Sequence, residues 1–221
     1  MLGTNLSPPE KKVSRRHSES ATPEPSEAQT PRVVLILASI LERLVARNDA
    51  IVQNEMLKEV IGPRQIGELG TNLKVFNGVR APNISIVKYL ERLYKYTKCS
   101  PSCFVVGYVY IDRLVHRHPE LLVVKINVHR LLLTSVMVAS KMLDDVQFNN
   151  AFYAKVGGVS NSELNRLELE LLFLLDFEVM VSSPEFQSYC WYLEKEDMRI
   201  SASLTIEPPL HFSIKDDVNV I

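Results

Sequence analysis

Two charged side chains stand where helical periodicity asks for apolar ones: Lys141 in VASKMLDD and Glu168 in ELNRLELELLFLLDF. Around Glu168 a stripe runs through Leu164, Leu167, Leu171, Leu174 and Leu175. Glu168 is four residues after Leu164 and three before Leu171, so it faces the same way. Lys141 follows Met137 and Val138 by four and three residues on a segment that is apolar almost all round. A charge set into apolar surface is costly unless a partner satisfies it. Either the two residues pair with each other or an outside molecule supplies the partner, and the second case defines a binding module. Lys141 has a local alternative in Asp145, four residues on. Glu168 has no basic residue three or four positions away.

Other residues offer less chemistry. His116, His118 and His129 invite a metal reading, but the first two are two apart near a helix end and no acidic or thiol pattern completes a site. Cys99 and Cys103 are four apart with no second pair, which argues against zinc, so neither a metal nor a cofactor is expected. No nucleophile elbow, phosphate-binding glycine loop or HExxH motif occurs, and no catalytic residue is assigned. Asp112 beside Arg113 reads as a hydrogen-bonded carboxylate that fixes a neighbouring loop.

The chain has 221 residues, 46% hydrophobic and 23% charged, with a formal net charge of −1. Such a balance gives no overall pull toward nucleic acid or an anionic membrane. Three cysteines without disulfide-framework spacing fit a reducing compartment. The start, MLGTNLSPPEKKVSRR, has no apolar signal-peptide core, and Leu131–Ala139 is too short to span a bilayer, which takes about 20 residues. A soluble intracellular protein, nuclear or cytoplasmic, is expected.

Residues 1–30 form a Ser/Pro/Glu-rich segment that cannot bury enough apolar surface to offset its ordering entropy, so disorder is expected. It carries a short basic cluster, Lys11 to Arg16, which reads as a nuclear-import patch or as a solvated charge run. Ser7-Pro8, Thr22-Pro23 and Thr30-Pro31 are potential proline-directed phosphorylation sites. Order begins at Thr30-Pro31 with an amphipathic helix to about Asn48. A loose connector over 49–75, with at most one short helix, is expected from Gly62-Pro63, Gly67 and Gly70. Five further helices are predicted over about 84–97, 102–117, 127–145, 148–155 and 160–175. Pro119, Gly157-Gly158 and the capping box Ser160–Glu163 provide their stops and starts. A sixth runs from Ser183-Pro184 to about Asp197, and 199–221 reads as an irregular tail. The pattern is all-α, with a main domain over 76–180 and a C-terminal helix over 181–198.

Three separated segments resemble, in order, a cyclin box: YLERLYKYTKCSPSCFVVGYVYIDRL, NVHRLLLTSVMVASKMLDD and NNAFYAKVGGVSNSELNRLELELLFLLDFEV. More narrowly they resemble the plant U-type (P-type) cyclins, related to fungal phosphate-signalling cyclins. The resemblance implies a single five-helix cyclin box with flanking helices. It implies a regulatory subunit that activates a cyclin-dependent serine/threonine kinase in cell division or phosphate signalling. One lysine and one glutamate of that family contact backbone groups of the kinase beside its C helix, and Lys141 and Glu168 stand at those positions. Leu172 joins them as an apolar contact. The substrate-docking motif of larger mitotic cyclins is replaced by Pro82-Asn83-Ile84-Ser85-Ile86, without its arginine, so that route of substrate recruitment is not expected. With one helix after the box, a second cyclin fold is not expected either.

Two other readings compete. One is a kinase-independent helical adaptor for protein interactions. A cyclin-fold transcription factor would need a basic face, whereas acidic residues slightly outnumber basic ones over 81–198.

Overall fold

The apolar run Leu131–Ala139 is buried on every side, and the other helices are arranged around it. The computed structural model describes residues 29–61, 75–119, 121–146 and 148–204. Seven helices follow in order among them: α1 (Arg32–Ile61), α2 (Ile86–Thr97), α3 (Pro101–Arg117), α4 (Val128–Leu143), α5 (Asn150–Gly157), α6 (Asn161–Leu174) and α7 (Ser183–Leu204). The described residues contain no strand, so the fold is all-α as the periodicity predicts. No helix among them is long and apolar enough to cross a membrane.

α4 is the hub, packed most extensively on α3 and closed on its other side by α5 and α6. Gly107 makes the α3–α4 contact close: a Cβ there would lie 3.1 Å from Val136 Cγ2 and 3.2 Å from Val136 N. α1 crosses α2 and α3, and α7 rests on α1 and α3. Local chemistry sets the helix ends. Ser85, Asn149 and Ser160 accept hydrogen bonds from the third residue on, and Gly158 takes the left-handed conformation (φ 76°) that ends α5. The capping box at Ser160 is half realised. Its serine caps Glu163 N at 3.0 Å, but the Glu163 carboxylate turns to Arg130 of α4 instead.

Two predicted boundaries are corrected. α1 does not stop at Asn48 but continues to Ile61, so the first part of the expected connector is helical. Asn48 and Asp49, read as a helix stop, are tertiary clamps. Asn48 is buried and donates from Nδ2 to Val123 O at 3.0 Å, and Asp49 Oδ1 accepts from Lys125 N at 3.3 Å. α7 likewise passes Asp197 and reaches Leu204, so the expected irregular tail begins as helix. Asp197 and Glu196 pair with Arg32 and Arg43 of α1, tying the first and last helices together. The basic cluster at Lys11 to Arg16, the Ser7 and Thr22 sites, residues 62–74 and residues 205–221 lie outside the described residues.

A candidate docking face on α4, α5 and α6

Lys141 lies in the last turn of α4 and Glu168 in the middle of α6. The contact between these helices brings Lys141 Nζ to 2.6 Å from Glu168 Oε1. Of the two possibilities left open by spacing, the pair is therefore formed within the chain. Glu168 is the more enclosed member, with its side chain 17% exposed against 31% for Lys141. Its second oxygen accepts from Asn150 Nδ2 at 2.7 Å, and the same amide reaches Asn165 Oδ1 at 2.8 Å. Glu168 is thus held between a cation of α4 and an amide of α5, at the edge of the buried stripe Leu164, Leu167 and Leu171.

The helices that carry this polar centre also expose apolar side chains. Leu172, one turn after Glu168, is half-buried and packs against the core. Met142 and Leu143 follow Lys141 and are 44% and 48% exposed, while Leu169 and Phe173 flank Glu168 at 55% and 65%. Phe148 stacks on Phe152 at the start of α5, with ring centroids 4.0 Å apart. Isolated exposed apolar residues are ordinary, and Met142, Leu143, Leu169 and Phe173 share the two helices that carry the ion pair.

The turn after α6 completes the face. Asp176 (φ 52°) and Phe177 (φ 56°) both adopt the left-handed region that non-glycine residues enter at a cost, and Phe177 is exposed against Phe173. Charged side chains of α3 hold that backbone. Arg113 donates to Glu178 O (2.7 Å), Met180 O (3.0 Å) and the Glu185 carboxylate (2.8 Å), and Arg117 donates to Leu175 O at 2.6 Å. Asp112, expected to fix a loop, instead accepts from the Tyr189 hydroxyl of α7 at 2.6 Å. Burial and that hydrogen bond push the Tyr189 hydroxyl pKa upward.

The histidines go separate ways. His116 contacts Asp112, His118 reaches Leu174 O, and His129 bonds Ile84 O at 2.9 Å. Cys99 and Cys103 meet each other and Asp144, which caps α4. Sequence reasoning missed Asn150, Arg113 and Asp144, because each acquires its role only through contacts between distant segments. Asn150 left one trace: its neighbour Asn149 already serves as the α5 cap, so a second amide there needed another purpose.

Among the described residues six helices pack around a buried central one, α4, an all-α arrangement consistent with a cyclin box. Residues 31–179 match the cyclin family, and the chain belongs to it. It is 61% identical to Cyclin-U1-1 of Arabidopsis thaliana over 178 residues, covering 80% of this chain and 78% of that protein. It is 48% identical to Cyclin-U4-1 of the same plant over 165 residues (75% and 76%) and 43% identical to Cyclin-P4-1 of Oryza sativa over 191 residues (86% and 85%). These relatives make it a plant U/P-type cyclin. Its role is regulatory in the general sense of that family, whose members work with a kinase partner and as a rule perform no catalysis of their own.

Proposed function

We propose that this cyclin binds and activates a cyclin-dependent serine/threonine kinase through the α4–α6 face, with cell division or phosphate signalling as the process controlled. The observation that carries the reading is the Lys141–Glu168 pair, fixed by Asn150 on helices that also expose Met142, Leu143, Leu169 and Phe173. Lys141 and Glu168 present a donor and an acceptor to backbone groups beside the kinase's C helix. Leu172, Leu169 and Phe173 supply apolar area for that helix. Docking holds the C helix so that its glutamate meets the ATP-positioning lysine of the kinase, which phosphoryl transfer requires. The chain contributes binding energy and orientation, and all bond-making belongs to the kinase.

A partly exposed ion pair adds little to the stability of the free chain, about 0.5–1 kcal/mol. Covered by a partner it gains weight, because removing one member leaves the other buried and unpaired. Co-purification with a plant cyclin-dependent kinase and measurement of substrate phosphorylation, with and without the chain, test the reading. Lys141→Ala and Glu168→Ala are each expected to weaken kinase binding tenfold or more, about 1.4 kcal/mol, while the variants stay folded. Undiminished binding by the double variant overturns the assigned face. Failure to stimulate any such kinase favours the adaptor reading.

A further inference from the structure

Away from the docking face, three helix ends converge on a small polar site inside the fold. Cys99 follows the C-terminus of α2, Cys103 sits in the first turn of α3, and Asp144 caps α4. Both thiols are buried, and Asp144 is half-buried on the solvent side. One ligand atom from each residue lies within 4.8 Å of the other two. Cys103 Sγ is 3.3 Å from Asp144 Oδ2. In a tetrahedral zinc site, with bonds of about 2.3 Å to sulfur and 2.0 Å to oxygen, those atoms stand about 3.5 Å apart. That pair is therefore near ligand spacing, and the Cys99 ligand atom lies within 4.8 Å of the other two.

We propose that Cys99, Cys103 and Asp144 bind a thiophilic divalent cation, with zinc as the reference ion. Three residues between the cysteines fall within the range common in zinc sites, and two thiolates select soft or borderline metals over calcium or magnesium. Ser100 orients the set. Its backbone N–H donates to Asp144 Oδ2 at 3.1 Å, and its hydroxyl lies 3.3 Å from Cys103 Sγ. Thr97 Oγ1, 3.1 Å from Cys99 Sγ, supports the other sulfur. Binding forms two metal–sulfur bonds and one metal–oxygen bond, and releases the two thiol protons to solvent. No oxidant or reductant takes part.

The ion would join α2, α3 and α4 where helical hydrogen bonding runs out. Asp144 is three residues beyond Lys141, so the same ion would stiffen the end of α4 that presents the docking pair.

Cobalt(II) titrated into the reduced, metal-stripped full chain tests this. One equivalent is expected to bind with a thiolate-to-cobalt charge-transfer band and tetrahedral ligand-field absorption, and zinc is expected to displace it. Cys190→Ser should leave the band unchanged, since Cys190 lies on α7 outside the set. The Cys99→Ser/Cys103→Ser variant should lose it. Asp144→Asn should keep the band but weaken cobalt binding about tenfold or more. Absence of the band in the folded wild-type chain, or its survival in the double serine variant, overturns the proposal. Should the serine variants not fold, Asp144→Asn decides alone, and unchanged affinity there overturns it.

Discussion

Asn150 of α5 donates from Nδ2 to Glu168 Oε2 of α6 at 2.7 Å, while Lys141 occupies the other carboxylate oxygen at 2.6 Å. Three helices thus meet at one carboxylate, and in the proposed docking mode Glu168 would meet the kinase with its rotamer already fixed. Pre-ordering of this kind lowers the entropy lost on association.

Asn150→Ala is therefore expected to weaken kinase binding roughly 5- to 10-fold, about 1–1.5 kcal/mol for one hydrogen bond to a charged group. Asn150→Asp should be worse, because it sets a second carboxylate against Glu168. Calorimetric titration of the kinase checks both, with thermal melts as the control for folding. Wild-type affinity in both variants would show that Glu168 needs no such support.

Arg113 gathers the Glu178 and Met180 carbonyls and the Glu185 carboxylate with one guanidinium. It restrains a turn in which Asp176 and Phe177 are both left-handed. Arg113→Ala is expected to cost about 2–3 kcal/mol of folding stability, since it strips a charge-assisted network and leaves strained backbone without its brace. Arg113→Lys should recover only part of this, because one ammonium nitrogen replaces the two guanidinium nitrogens that reach these acceptors. Urea denaturation reads the difference. A loss below about 0.5 kcal/mol in the alanine variant would place the restraint elsewhere.

The all-α class and the order of the helices were legible because apolar spacing, prolines and glycines are local signals. Glu168 was legible for the same reason, as a charge inside a leucine stripe with no helical neighbour to neutralise it. The internal answer to that charge was not, because Lys141 and Asn150 reach it from 27 and 18 residues away in sequence. The ends of α1 and α7 show the same limit from the other side. Asn48-Asp49 carries the composition of a helix stop, yet both side chains are used in mid-helix to hold the segment before α4. Glu196 and Asp197 resemble a polar helix end and instead face arginines of α1. Polar residues at a predicted end can cap a helix or clamp a neighbour, and only the packing tells which.

Gly107 offers a purely steric test of the α3–α4 contact. A methyl group there meets Val136 Cγ2 at 3.1 Å and, less yieldingly, Val136 N at 3.2 Å and Ser135 C at 3.3 Å. Helix propensity alone would reward Gly107→Ala with up to about 1 kcal/mol. Overpacking against backbone opposes this with about 1–3 kcal/mol. A net destabilisation is expected, visible as a lower melting temperature with secondary structure retained by circular dichroism. A melting temperature above the wild type would mean that the two helices separate slightly at little cost.

His129 gives the fold a pH dependence of known sign. Nε2 donates to Ile84 O at 2.9 Å, the ring meets Tyr89 edge-on at 4.8 Å, and Nδ1 is buried without a hydrogen-bond partner. Burial holds the imidazole below the usual histidine pKa, with the bond to Ile84 O acting partly against it. A proton on Nδ1 would be a buried charge with no acceptor, so the native state refuses it, whereas the unfolded chain accepts it near pH 6.5. Above about pH 7 neither state is protonated and the residue contributes no slope. As pH falls through about 6.5 the unfolded state binds the extra proton, and stability declines until the lowered native pKa is reached. His129→Gln retains an amide donor for Ile84 O but cannot titrate. It should therefore be less stable at pH 7.5 through lost packing, yet show a flatter stability profile between pH 7 and 5 than the wild type. Urea midpoints measured at half-unit intervals for both proteins check this, and parallel profiles would assign the acid sensitivity to other groups.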